Sequence, residues 1–174
     1  KRIFIEMKNI AIFGSTGSIG KNTLDVIRRF PDKFKVSALT ANSDTAALIS
    51  QVKEFSPRFV CVGDGKSALL IKKAFGRNIK VCSGQDGLIG LAGERMLGEC
   101  VFAISGSAAL PPLVSAIKSG KDIALANKEA LVMAGTLIMR MAQRAKVNII
   151  PVDSEQSAIW QCLHGQDKKR LRRI

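Results

Sequence analysis

A short apolar run, Ile10-Ala11-Ile12-Phe13, leads into Gly14-Ser15-Thr16-Gly17-Ser18-Ile19-Gly20, and that stretch leads into the helical pattern of Leu24, Val26 and Ile27, closed by Arg28 and Arg29. A strand, a glycine turn and a helix in this order open a βαβ unit. The helix N-terminus then aims unpaired N–H groups and the positive end of its dipole at any anion beyond the strand. Glycine permits the tight turn and lets a ligand approach the backbone, because no Cβ intervenes. The spacing is G-x-x-G-x-x-G rather than the commoner G-x-G-x-x-G, and it gains meaning from its strand-to-helix setting. Taken alone, the motif also fits an ordinary βα turn rich in small residues.

The rest of the chain repeats the alternation. Apolar strand patterns fall at 8–13, 34–40, 59–62, 80–82, 101–104, 122–126 and 147–152. Helical patterns lie at 21–29, 45–55, 67–75, 85–91, 111–118, 128–144 and from Asp153-Ser154 through Leu163, with prolines or glycines punctuating the joints. This alternation predicts an α/β fold: a Rossmann-like, mostly parallel sheet with helices on both faces.

Composition excludes several classes. With 174 residues and 47% hydrophobic content the chain can build a sizeable core, and no apolar run approaches membrane-span length. The four cysteines, Cys61, Cys82, Cys100 and Cys162, form no C-x-x-C pair, and His164 is the only histidine, which argues against zinc. Free thiols in a reducing compartment are expected, several of them buried in strands. The net charge of +13 is dispersed, except for Lys168-Lys169-Arg170-Leu171-Arg172-Arg173, and aromatics make up only 5% with no tyrosine. That pattern fits a solvated face biased toward anionic ligands better than a nucleic-acid stacking surface. His164 reads as a surface residue, and 165–170 as a linker.

Ligands of open α/β sheets sit beyond the carboxyl ends of the strands. Four such ends carry chemistry. The first is the 14–20 loop. At the second, an NAD-type site sets an acid that accepts from the ribose hydroxyls. Here Asn42 and Ser43 stand in that place and Asp44 comes late, which leaves room for a 2′-phosphate, though no Arg or Lys lies within 40–47 to pair with it. The same residues suit a capping loop. At the third, Lys128 can reach a substrate oxygen or phosphate, and Asn127 and Glu129 can hold a ribose or orient the lysine; Asn127 equally serves as a helix cap. At the fourth, Asp153 and Glu155 can converge on one hard cation, with Ser154 between them to bond substrate. Asp, Ser and Glu are also favoured first-turn residues of a helix.

Together, the 14–20 loop, Leu125-Ala126-Asn127-Lys128-Glu129 and Pro151-Val152-Asp153-Ser154-Glu155 resemble the signatures of the 1-deoxy-D-xylulose 5-phosphate reductoisomerase family, in order and in spacing. Ser157-Ala158-Ile159 continues the last motif, and the resemblance runs from Met7 to Ile174. It implies an NADPH-dependent enzyme of the non-mevalonate isoprenoid pathway. Such enzymes rearrange a keto-sugar phosphate to a branched aldehyde and reduce it to 2-C-methyl-D-erythritol 4-phosphate. A divalent cation, Mg²⁺ or Mn²⁺, chelates the substrate carbonyl and a neighbouring hydroxyl.

Carried over by position, Thr16, Gly17, Ser18 and Ile19 hold the cofactor pyrophosphate, and Asn42, Ser43 and Asp44 meet the adenosine 2′-phosphate. Asn127 and Glu129 contact the cofactor. Asp153 and Glu155 bind the metal, Lys128, Ser154 and Glu155 bind substrate, and Lys128 and Glu155 are catalytic. The resemblance further implies a cytoplasmic protein (bacterial, or in a plastid-type organelle), homodimeric at full length, with no nucleic-acid or membrane partner. The chain departs from the family where a Gly-Lys-Asn-like stretch is replaced by Asn42-Ser43-Asp44, and where Gln156 replaces a histidine.

The expected organisation is a cofactor domain over 7–150, with 151–174 opening a second, catalytic α+β domain that is cut short, and 1–6 as upstream or appended residues. A third metal carboxylate, the substrate phosphate pocket and a mobile lid are then expected beyond Ile174. On that basis these residues hold NADPH weakly without turning over.

Overall fold

The computed structural model describes residues 7–167 and 171–173. Residues 1–6 and the Lys168-Lys169-Arg170 part of the basic run lie outside the described residues, so those two expectations are not addressed by it. The element order is β1 (Lys8–Phe13), α1 (Ser18–Arg29), β2 (Phe34–Ala41), α2 (Thr45–Phe55), β3 (Phe59–Val62), α3 (Gly65–Phe75), β4 (Lys80–Ser83) and α4 (Gly84–Gly93). It continues with β5 (Glu99–Phe102), α5 (Leu110–Lys118), β6 (Ile123–Leu125), α6 (Lys128–Ala145), β7 (Ile149–Pro151) and α7 (Ser154–Leu163).

The seven strands form one sheet in the order β4-β3-β2-β1-β5-β6-β7, and every neighbouring pair is parallel. The order reverses at β1, which has β2 on one side and β5 on the other. That is the switch point at which an open α/β sheet leaves a crevice.

Side chains alternate across a strand, so one strand feeds two cores. Ile10 and Ile12 of β1 pack with Leu24 and Ile27 of α1, Leu48 and Val52 of α2 and Ile71 of α3. Ala11 and Phe13 turn to the other face, where Leu113 and Ile117 of α5 and Ile138 of α6 close over them. There the rings of Phe13 and Phe102 stack with centroids 4.5 Å apart, tying β1 to β5 beside the switch point. The expected Rossmann-like sheet with helices on both faces is present.

Boundaries differ where the strands are short. The fifth strand ends at Phe102, two residues before the apolar pattern does, because Ala103 to Gly106 turn outward and Gly106 takes a positive φ of 75°. The last strand covers three residues rather than the expected six. It is an edge strand, where a proline such as Pro151 is tolerated, and Val152 N–H beyond it still donates to Leu125 O (2.9 Å). Helix α6 breaks at Ala134, with φ −144° and ψ 23°, next to Gly135, a poor helix former. Helix α7 buries none of its residues and leaves Ile159 and Trp160 exposed. Among the described residues no helix is long and apolar enough to cross a membrane.

Candidate active site

The glycine loop is fixed from below. Gly14 N–H donates to Thr40 Oγ1 (2.8 Å), and Ser15 N–H donates to Thr40 O (2.8 Å). Ser15 is fully buried; its hydroxyl donates to Gln51 Oε1 (2.7 Å), and Gln51 Nε2 returns a bond to Ser15 O (2.9 Å). Two glycines are obligatory. Gly14 has φ +92°, and a Cβ there would lie 2.8 Å from Ala103 O. A Cβ on Gly20 would fall 2.2 Å from Gly14 O, so the first turn of α1 rests directly on the loop.

That construction leaves the helix end open. α1 has Gly17 at its N-cap, no capping side chain and no acid in its first turn. Among the described residues, no acceptor engages the backbone N–H groups of Thr16, Ser18 and Ile19. By contrast, Asp44 caps α2 and Asp64 caps α3. An uncapped N-terminus at a switch point is an anion site. It faces a cleft of about 380 Å³ lined by Gly14, Thr16 and Gly17, by Asn42 and Gly63, and by Ile104 and Ser105.

Of the second group, Asn42 lines this cleft, whereas Ser43 and Asp44 do not. The Asp44 carboxylate accepts from Ala47 N–H (3.0 Å), so the capping role is realised there. Asn127 is likewise engaged internally. It is buried, accepts from Ala130 N–H (2.6 Å), and donates through Nδ2 to Ile104 O (2.9 Å) and Gly106 O (3.0 Å). Glu129 Oε1 accepts from Gly106 N–H (3.1 Å). Its own backbone N–H, followed by that of Gly106, holds its carboxyl below the ordinary range. Both side chains therefore pin the 104–106 loop, whose Ile104 and Ser105 wall the cleft.

Lys128, between them, points the other way. Its ammonium lies 2.7 Å from Glu155 Oε2 and 3.7 Å from Asp153 Oδ2. Ser154 Oγ also donates to Glu155 Oε2 (2.9 Å), and Asp153 caps α7 through Gln156 N–H (3.1 Å). Lys128 first, and then the Glu155 backbone N–H, hold the Glu155 carboxyl down at about 2; Glu155 in turn raises the Lys128 ammonium. The third and fourth strand ends thus converge on a single cationic centre. Two carboxylates and a hydroxyl make a hard oxygen donor set of the kind Mg²⁺ or Mn²⁺ accepts, and the Lys128 ammonium lies against both carboxylates. Among the described residues no group of three or more His, Cys, Asp or Glu is arranged to hold a metal.

Ser15, Thr40 and Gln51 were not visible as site residues in the sequence. The signal was Gln51, a polar residue on the apolar stripe of α2 between Leu48 and Val52. His164 is exposed, stacked on Trp160 at 4.7 Å, and away from the cluster. A wider depression of about 810 Å³ lies at the opposite, amino edge of the sheet among Lys8, Arg95, Lys121 and Lys146. The C-termini of α5 and α6 end there, and their dipoles oppose an anion.

The family model described as 1-deoxy-D-xylulose 5-phosphate reductoisomerase matches residues 10–135. The enzyme of that name from Thermodesulfovibrio yellowstonii is 46% identical over 168 residues, 97% of this chain and 44% of the relative. A crystal structure of DOX-P reductoisomerase with NADPH, fosmidomycin and magnesium superposes with a TM-score of 0.85 at 38% identity, over 90% of this chain and 39% of that one. The Zymomonas mobilis enzyme in complex with NADPH gives 0.84 at 36%, over 90% of this chain and 41% of that one. The chain spans less than half the length of the relatives it matches. With the uncapped glycine loop at the switch point and the Lys128–Asp153–Glu155 cluster three strands away, the chain belongs to the 1-deoxy-D-xylulose 5-phosphate reductoisomerase family.

Proposed function

We propose that the whole protein carries out the NADPH- and divalent-metal-dependent rearrangement and reduction of 1-deoxy-D-xylulose 5-phosphate to 2-C-methyl-D-erythritol 4-phosphate, with this chain supplying the cofactor half and the first metal ligands. One observation carries the proposal. A continuous set of contacts runs from the cleft wall at Ile104–Gly106, through Asn127 and Glu129, to Lys128 and on to Glu155 and Asp153. A cofactor in the cleft and a substrate at the carboxylates would therefore share one scaffold.

In this assignment the N–H groups of Thr16, Ser18 and Ile19 bind the pyrophosphate, and Asn42 and Ser43 border the adenosine ribose and its phosphate. Asn127 and Glu129 hold the loop that walls the nicotinamide end. Asp153 and Glu155 hold the metal, and Ser154 bonds the substrate. When bound, the metal supplies a Lewis acid for the substrate carbonyl, and NADPH supplies the hydride. Lys128 swings between the two carboxylates and the substrate oxygens, keeping positive charge at the reacting end. Domain assignment follows: the sheet through β7 is the cofactor unit, and α7, which buries none of its own residues, opens the second unit. The full-length protein is proposed to be a cytoplasmic homodimer.

Asp153→Asn and Glu155→Gln in the full-length protein provide the test. Each is expected to lower metal-dependent turnover about a hundredfold or more while leaving NADPH affinity intact. Unchanged turnover in both would overturn the assignment.

A further inference from the structure

Cys61 and Cys82 have no role in the chemistry above. They stand opposite one another in the parallel register of β3 and β4, and neither is in a disulfide. Both face the same core layer, Cys61 within it and Cys82 packed against it. Cys82 Sγ lies 3.5 Å from Val60 O, so its side chain leans across to β3. Over the pair, α4 presents Gly87, where a Cβ would sit 3.1 Å from Cys82 Cβ and 3.6 Å from Cys61 Sγ. The helix thus meets the Cys61 sulfur and the Cys82 Cβ with a residue that lacks a side chain. Directly opposed residues on neighbouring strands are about 4.8 Å apart, inside the roughly 4.4–6.8 Å Cα window of a disulfide.

The two thiols open on different spaces. Cys61 lines the cofactor cleft with Asn42, Gly63 and Leu88. Cys82 is half-buried on the edge strand and lines a separate groove of about 280 Å³ between β4 and α4. An oxidant therefore reaches Cys82 without entering the cleft. The neighbouring Cys61 holds the Cys82 thiol below its ordinary range, helped by the Cys82 backbone N–H and then by the Lys72 charge. The same contact, together with burial, pushes Cys61 up. Cys82, half-buried and open to its own groove, is the thiol that an oxidant meets first, and buried Cys61 is the resolving thiol.

We infer that Cys61 and Cys82 form a modification site, a paired dithiol that closes to a disulfide under peroxide and couples oxidation to the shape of the cofactor cleft. Cys82 gives up its proton, its thiolate attacks one peroxide oxygen, the O–O bond breaks, and the departing hydroxide takes up that proton, leaving a sulfenic acid and one water. The Cys61 sulfur then attacks the Cys82 sulfur. The S–S bond forms, the S–O bond breaks, and the departing hydroxide takes the Cys61 proton as a second water. Two thiols are oxidised by one electron each, and one peroxide is reduced to two waters.

The cleft side of this inference rests on the proposed function; the pairing does not. The test treats the reduced protein with hydrogen peroxide, maps cysteines by mass spectrometry, and titrates NADPH before and after. The expected result is a Cys61–Cys82 cross-link with loss of two hydrogens, NADPH affinity lowered about threefold or more, and recovery of both with dithiothreitol. Cys61→Ser is expected to stop at a dimedone-reactive sulfenic acid on Cys82, with no loss of NADPH affinity on oxidation. Absence of the cross-link, or a cross-link that leaves NADPH affinity unchanged, would overturn the inference. If the reduced protein fails to bind NADPH, the cofactor assignment and the coupling fall together, and the mass map still decides the pairing.

Discussion

The ammonium of Lys128 lies 2.7 Å from Glu155 and 3.7 Å from Asp153, so the third and fourth strand ends act as one group. With its carboxyl held at about 2, Glu155 stays ionised far below the ordinary 4.5. The stabilising ion pair is therefore present above 4.5 and is lost as pH falls through about 2. Because both side chains are exposed, the effect is local and screened by salt. A side-chain NMR titration of Glu155 is expected to inflect near 2 and to move back toward 4.5 in Lys128→Met. An inflection that Lys128→Met leaves in place would contradict the pairing. Asn127 makes three internal bonds, and Asn127→Ala is expected to cost about 1–2 kcal/mol or more in urea unfolding, from the lost cap and the freed carbonyls. Lys128, Asp153 and Glu155 each also suit the first turn of a helix, and they were legible only through the joint occurrence of their two motifs with the 14–20 loop. The caps made by Asn127 and Asp44 are local and were readable as such, whereas which charged groups meet, and that Asn127 also holds Ile104 and Gly106, depends on distances between segments that no local pattern encodes.

In the proposed assignment, cofactor binding depends on α1 and its loop. Gly20→Ala places a methyl 2.2 Å from Gly14 O, a contact with backbone that cannot yield. The substitution is expected to destabilise the fold by about 2 kcal/mol or more and to abolish NADPH binding, read by thermal melting and fluorescence titration. Normal stability with normal binding would show that the loop is not built as described. The alternating elements were readable in order because apolar period 2 and period 3.6 signals were separated by glycine and proline. Strand ends were less so: β5 stops at Phe102, ahead of the positive-φ turn at Gly106, and β7 keeps only Ile149–Pro151 of its apolar run. The break at Ala134 was hidden because the apolar periodicity of α6 continues across it. Gln51 stands out in the sequence only as a polar residue on an apolar stripe, and its partner Ser15 emerges once α2 is seen to pack under the loop.

At the scale of the molecule, one parallel sheet that reverses its order at β1 brings the open end of α1 and the β5, β6 and β7 ends to a single edge. The chain spans 44% of the Thermodesulfovibrio yellowstonii relative, and its described residues supply no metal-binding group of three. The isolated 174 residues are expected to bind NADPH, read by fluorescence titration, with no measurable oxidation of it; turnover by them alone would contradict the division of roles. The central claim is tested most directly by following NADPH oxidation in the full-length protein with 1-deoxy-D-xylulose 5-phosphate, with and without Mg²⁺ or Mn²⁺. The predicted result is oxidation that requires both the keto-sugar phosphate and the metal, with 2-C-methyl-D-erythritol 4-phosphate as product. NADPH consumption only with unrelated carbonyl compounds, or at the same rate after chelation, would contradict it.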